Sequence, residues 1–167
     1  MSQQTISFRP ITEDDLEFLY RVYASTREAE MALLVWPDRE KEDFLRFQFN
    51  AQHTYYQQHF VESQFDLILL DGQPIGRLYL DRRKDEFRII DIALLTQYRG
   101  QGIGGQIMAD ILQEAGRARL PVRIHVEQNN PALRLYHRLG FKEIGDEGVY
   151  YLMEWLPPRS ARSAGFK

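Results

Sequence analysis

Cysteine is absent from the 167 residues. That excludes a disulfide framework, a thiolate metal site and a cysteine nucleophile. No apolar run is long enough to span a bilayer, and the polar opening Met1-Ser2-Gln3-Gln4-Thr5 carries no mark of export. Neither charge is in real excess. The net charge of −3 gives no reason to expect bulk binding of nucleic acid or another polyanion. The histidines are scattered with no ligand spacing, so no metal is implied. Internal repeats are also lacking. These absences point to a soluble cytoplasmic protein with no nucleic-acid or membrane partner; homodimerisation is left open. At this length and 44% hydrophobic content, one domain with a real core is expected over residues 1–158. Arg159 to Lys167 reads as a flexible tail.

What is present centres on Tyr98-Arg99-Gly100-Gln101-Gly102-Ile103-Gly104-Gly105. The apolar run Ile89-Ile90-Asp91-Ile92-Ala93-Leu94-Leu95 precedes it, and Ile103, Ile107, Ile111 and Ala115 recur at helical spacing after it. The order is strand, glycine turn, helix. Helix-terminal amides lack intrahelical acceptors and carry the positive end of the dipole, so a phosphate fits there. The turn reads as an anion cradle.

Two nucleotide folds could claim such a cradle. Gly100, Gly102 and Gly105 spell G-x-G-x-x-G, with Glu127 roughly twenty residues on, as the dinucleotide fingerprint asks. Yet Thr96-Gln97-Tyr98-Arg99 separates strand from glycine, antiparallel hairpins precede it, and too little chain follows for a second mononucleotide half. A P-loop fails because no Gly-Lys-Ser/Thr follows.

A second segment narrows the choice: Asn129-Asn130-Pro131-Ala132-Leu133-Arg134-Leu135-Tyr136-His137-Arg138-Leu139-Gly140-Phe141. Arg99-x-x-Gly102-x-Gly104, followed by Asn129-x-x-Ala132-x-x-Leu135-Tyr136-x-x-Leu139-Gly140-Phe141, closely resembles the two signature motifs of the GNAT superfamily of acyl-CoA-dependent N-acyltransferases. The core of the resemblance runs from about Ile89 to Phe141. It implies an α/β fold of the GNAT type: a twisted, mostly antiparallel mixed sheet flanked by helices, with splayed central strands. Acetyl-CoA would lie between the strand ending at Leu95 and the strand ending at Val126.

The rest of the chain reads accordingly. Ile6 to Arg9 alternates as a first strand, and Thr12 with Asp15 marks a helix over about Glu13 to Ser25. Pro37 and Asp38 open a long helix carrying Phe44, Leu45, Phe47, Phe49, Tyr55, Tyr56 and Phe60. These aromatics are expected in the core, unless some line an acceptor pocket. Phe65–Leu70 and Ile75–Leu80 form a hairpin around Asp71-Gly72, and Asp81–Asp85 is a charged turn with Arg82-Arg83-Lys84 solvated. After the central strand Phe87–Leu95, a helix should end near Gly116 and Pro121–Val126 form the next strand. Asn130 caps a helix with Pro131 in its first turn and Gly140 at its exit. A hairpin of Phe141–Ile144 and Tyr150–Trp155 closes the fold.

Several residues then become candidates. The resemblance assigns Ala93 and Leu94 main-chain pairing with the pantetheine arm, and an amide there would polarise the thioester carbonyl. Arg99, Gly100, Gln101, Gly102, Ile103, Gly104 and Gly105 would hold the pyrophosphate, and Asn129 would bond the arm. Tyr136 matches the tyrosine that protonates the leaving thiolate; a phenol and a thiol lie close enough in pKa for that transfer. Ordinary core packing is its plain alternative. Asp91 interrupts an apolar strand, where a charge must be paired or used. It is either the general base for the amine or a carboxylate paired with an arginine such as Arg123. His125, Glu127, Glu86 or a water chain could serve as base instead. Without cysteine, acetyl passes directly to the amine. The remaining alternative is an acyl-CoA-binding sensor or interaction module without transferase activity.

Overall fold

The computed structural model describes residues 3–159; the tail expected over 159–167 lies, beyond Arg159, outside them. Seven strands form one mixed sheet in the order β1-β2-β3-β4-β5-β7-β6. They are β1 (Ile6–Pro10), β2 (Gln64–Leu70), β3 (Gln73–Arg82), β4 (Phe87–Leu94), β5 (Val122–Glu127), β6 (Lys142–Glu147) and β7 (Tyr150–Trp155). The helices are α1 (Leu16–Ser25), α2 (Glu28–Ala32), α3 (Asp38–His59), α4 (Ile103–Ala118) and α5 (Leu133–Leu139). Contacts divide the chain into two units. One runs up to Asp81 and adds Asp91–Gln101; the other holds Arg82–Ile90 and everything from Gly102 on.

In the first unit, β1 and β2 pair antiparallel, as do β2 and β3. Asp71 and Gly72 both have positive φ (51° and 83°), which suits the two-residue turn to the twist of its strands. The aromatic and aliphatic faces of α1 and α3 meet in a cluster of Leu19, Tyr20, Tyr23, Leu45, Phe49 and Leu67. Tyr20 meets Phe49 edge to face at 6.0 Å. Of the aromatics expected inside, Phe47 is 73% exposed and Tyr55 48%. They fall outside the stripe that a helix can bury on one side. The short α2 was not expected.

In the second unit, β4 and β5 run parallel, registering Phe87 with Val122, Arg88 with Arg123 and Ile89 with Ile124. Both strands continue past this ladder, to Leu94 and to Glu127. Antiparallel β5–β7 and β7–β6 pairs complete it. Ile103, Ile107, Met108, Ile111, Leu112 and Ala115 are buried along α4, the apolar stripe its spacing predicts.

Of the boundaries that differ from expectation, four are instructive. β3 extends through Arg82, and the expected solvated turn is held by ion pairs, Arg82 to Glu114 at 2.6 Å and Arg83 to Glu86 at 2.9 Å. α4 passes Gly116 and exits on Arg119 in a left-handed conformation (φ 60°). Gly116 thus lies inside the helix, where a Cβ would sit in ordinary contact with the Trp155 ring at 3.7 Å. α5 starts at Leu133, and the Asn130 side chain accepts from the Ala132 N–H at 2.8 Å, one turn ahead of the helix. β6 runs on to Glu147, with a register slip between Glu143 and Gly145 and Ile144 half exposed.

Candidate functional site

Within the second unit, the glycine turn becomes the start of a helix. Gly102 is the N-cap of α4 with φ 84°, a left-handed conformation that favours glycine. No acidic residue stands in the first turn of α4 to compete for its amides. A Cβ on Gly104 would have nothing within 4 Å. The protein therefore leaves open space above the first turn of a sixteen-residue helix, where an anion gains from both amides and dipole. Gly105 faces the other way: a Cβ there would meet Leu135 of α5 at 3.6 Å. Asn129 is exposed in the turn after β5. Tyr136 is buried in α5 and packs edge to face on Phe141 at 5.7 Å. Gly140 exits that helix with φ 103°.

Within the first unit, the end of β4 brings together Asp91, Ala93, Leu94 and Arg99. Arg99 donates from Nε to the Leu94 carbonyl at 2.9 Å and from Nη2 to Ser25 Oγ at 3.0 Å. Gly100 follows with φ 71°, and the Gln101 side chain donates to the Gln97 carbonyl at 2.8 Å.

Asp91 is ion-paired, but not with Arg123. Its partner is Arg77 of β3, whose Nη2 lies 2.6 Å from Asp91 Oδ2. Tyr56 of α3 donates to the same oxygen at 3.4 Å, and Gln52 accepts from Arg77 at 3.0 Å. The Arg77 side chain is only 3% exposed and that of Asp91 17%. Burial is the largest influence and opposes the guanidinium charge, yet Asp91 together with Tyr79 and Tyr56 outweighs it and the Arg77 pKa is raised. Burial also lowers the pKa of neighbouring His53, with Arg77 adding to the effect.

The other base candidates are engaged. Glu86 is buried among Arg83, Arg88 and Arg123, at 2.9, 3.3 and 2.7 Å. Burial alone would raise its pKa, but the Arg123 hydrogen bond and the three charges hold it below the usual carboxylate range. Arg123 also grips Glu154 at 2.7 Å, which is why it is not the partner of Asp91. His125 Nε2 lies 3.1 Å from Glu147 Oε1. Glu127 ends β5, paired in register with Tyr150.

Three residues of this arrangement escaped the sequence reading: Gly76, Arg77 and Ser25. A Cβ on Gly76 would stand 2.2 Å from the Ala93 carbonyl oxygen, so β4 passes β3 closer than any side chain permits. The available signal was a lone glycine, followed by an arginine, inside an otherwise apolar strand. Among the described residues, no group of three or more His, Cys, Asp or Glu could hold a metal ion. No helix among them is long and apolar enough to cross a membrane.

Residues 17–141 match the family model described as the acetyltransferase (GNAT) family. An N-alpha-acetyltransferase of Sulfurisphaera tokodaii is 25% identical over 119 residues, covering 61% of this chain and 71% of that protein. An uncharacterized protein of Mycobacterium leprae is 32% identical over 66 residues, 40% of this chain; the match spans only 18% of that longer relative. Among solved structures, the PaiA N-acetyltransferase from Thermoplasma acidophilum in complex with coenzyme A aligns with a TM-score of 0.67 at 19% identity. That alignment covers 91% of this chain and 99% of that one. PH1933 from Pyrococcus horikoshii gives 0.68 at 20% identity, covering 94% and 100%. At these identities the structural likeness concerns the fold.

Proposed function

The chain belongs to the GNAT family of acetyltransferases, and from that premise we propose that it transfers the acetyl group of acetyl-CoA directly to a primary amine. The residues fall into roles on this reading. Main-chain groups of Ala93 and Leu94 receive the pantetheine arm and polarise the thioester carbonyl. Amides of the loop from Arg99 to Gly105 hold the pyrophosphate, and Asn129 bonds the arm. The amine nitrogen forms its bond to the thioester carbon, and the carbon–sulfur bond then breaks. Tyr136 gives its proton to the departing thiolate. Asp91 serves the acceptor side, taking a proton from the amine directly or through one water; among the described residues, Arg77 and Tyr56 both reach its Oδ2. One domain over residues 1–158, acting in the cytoplasm on a small-molecule or protein amine, completes the proposal.

The observation that carries it is the unfilled space at Gly104 over the N-terminus of α4, left clear of both side chains and acidic charge. A thiol-trapping assay for free CoA, run with a mixed panel of amines, tests the reading. Amine-dependent release of CoA is expected. Acetyl-CoA binding without release across the panel would favour the acyl-CoA sensor instead.

A further inference from the structure

Leu94 belongs to two peptide units, and the structure holds each from a different side. In the unit joining Ala93 to Leu94, the carbonyl oxygen lies against Gly76, 2.2 Å from where a Cβ would be; Leu94 Cα is 3.0 Å from the same point. A trans peptide sends its carbonyl and its amide in opposite directions. The Leu94 N–H is therefore aimed away from β3. In the unit joining Leu94 to Leu95, both polar groups are occupied. The Leu95 N–H donates to the Ile75 carbonyl at 2.8 Å, and the Leu94 carbonyl accepts from Arg99 Nε at 2.9 Å. The guanidinium runs on to Ser25 Oγ at 3.0 Å, and Ser25, buried at the end of α1, donates to the Val22 carbonyl at 2.8 Å.

We propose that Arg99 is a positioning residue: its side chain ties the end of β4 to the end of α1 and thereby fixes the Leu94 amide that faces the substrate thioester. This rests on the acetyl-transfer reading and goes beyond it. The family motif brings Arg99 to notice as a neighbour of the phosphate loop, yet its Nε and Nη2 are spent on the backbone and a buried hydroxyl. Two hydrogen bonds from one planar guanidinium fix orientation as well as distance. Gly76 makes the arrangement attainable, because the bend that turns the Ala93 carbonyl inward needs a strand neighbour without a Cβ.

The test compares two thioesters in calorimetry. One is acetyl-CoA; the other is S-acetylpantetheine, which keeps the thioester and the amide arm but has no phosphate. Wild type, Arg99→Ala and Ser25→Ala are titrated with each, and thermal midpoints are recorded alongside. Arg99→Ala is expected to lose affinity for both thioesters by a similar factor, on the order of tenfold. Ser25→Ala keeps the arginine charge and its bond to the Leu94 carbonyl but releases Nη2, and should lower both affinities by a smaller factor. A loss confined to acetyl-CoA would make Arg99 a phosphate ligand and overturn the proposal. So would a lowered midpoint with both affinities unchanged. A wild type that binds neither thioester would instead bring down the acetyl-CoA reading itself, together with what rests on it.

Discussion

At the scale of single residues, two substitutions probe the cradle and the acid. Gly104→Val places a branched side chain in space that the protein leaves empty, so the variant should fold normally. Its affinity for acetyl-CoA should nevertheless be abolished, because the added atoms stand where the pyrophosphate must approach. Calorimetry on folded protein decides this, and retained affinity would refute the cradle. Gly102→Val should lose binding too, but its φ of 84° adds backbone strain of about 1–3 kcal/mol, which makes Gly104 the cleaner site. Tyr136 asks for the opposite profile. Its ring packs on Phe141, and phenylalanine keeps that contact while removing the hydroxyl. Tyr136→Phe should lower kcat by about 10²–10⁴-fold with little change in acetyl-CoA affinity. Wild-type turnover would return the tyrosine to a packing role.

At the scale of elements, charge pairs join pieces of chain that hydrophobic burial alone would leave loose. Arg9 of β1 makes a two-pronged contact with Asp15, both distances 2.9 Å, where the chain turns into α1. The Arg9 hydrogen bond is the main reason the Asp15 pKa is lowered to about 2. A lowered carboxyl pKa stabilises the fold above the unfolded value and loses that contribution as pH falls through the folded one. Denaturation midpoints should therefore fall between about pH 4, the ordinary aspartate value, and about pH 2. Asp15→Asn should be less stable at neutral pH and show a flatter acid limb; an unchanged limb would remove the pair from the account. The β3–β4 pair is buried more deeply. Asp91→Asn leaves the Arg77 guanidinium, 3% exposed, without its counter-charge, and should cost about 3 kcal/mol by equilibrium unfolding. As the base, the same variant should also lower kcat by about 10²–10⁴-fold with little change in acetyl-CoA affinity. A stable variant with wild-type turnover would sink both roles for Asp91. Element types were largely legible from periodicity, as α4 and the hairpin at Asp71-Gly72 show. Their ends were less so: Gly116 looked like a helix stop, but α4 runs on through Ala118 and exits at Arg119 in a left-handed conformation that no glycine marks.

At the scale of the whole molecule, the two signature motifs made the family legible, because each is a local device whose chemistry depends on residues close in sequence. The site's supports were not legible for the converse reason. Arg77 reaches Asp91 across two strands, and Arg99 reaches Ser25 across 74 positions; such pairs depend on register and on helix placement that no local pattern encodes. The close approach of β4 at Gly76 carries this furthest. Every other amino acid would bring at least a Cβ to a point 2.2 Å from a main-chain oxygen, so size, charge and polarity cannot rescue a replacement there. In a saturation library selected for acetyl transfer, Gly76 should be the position where even alanine and serine disappear, while Gly72, with nothing within 4 Å, should keep asparagine and aspartate. The chain's tolerance of inherited change would then be narrowest at an atom it does not have.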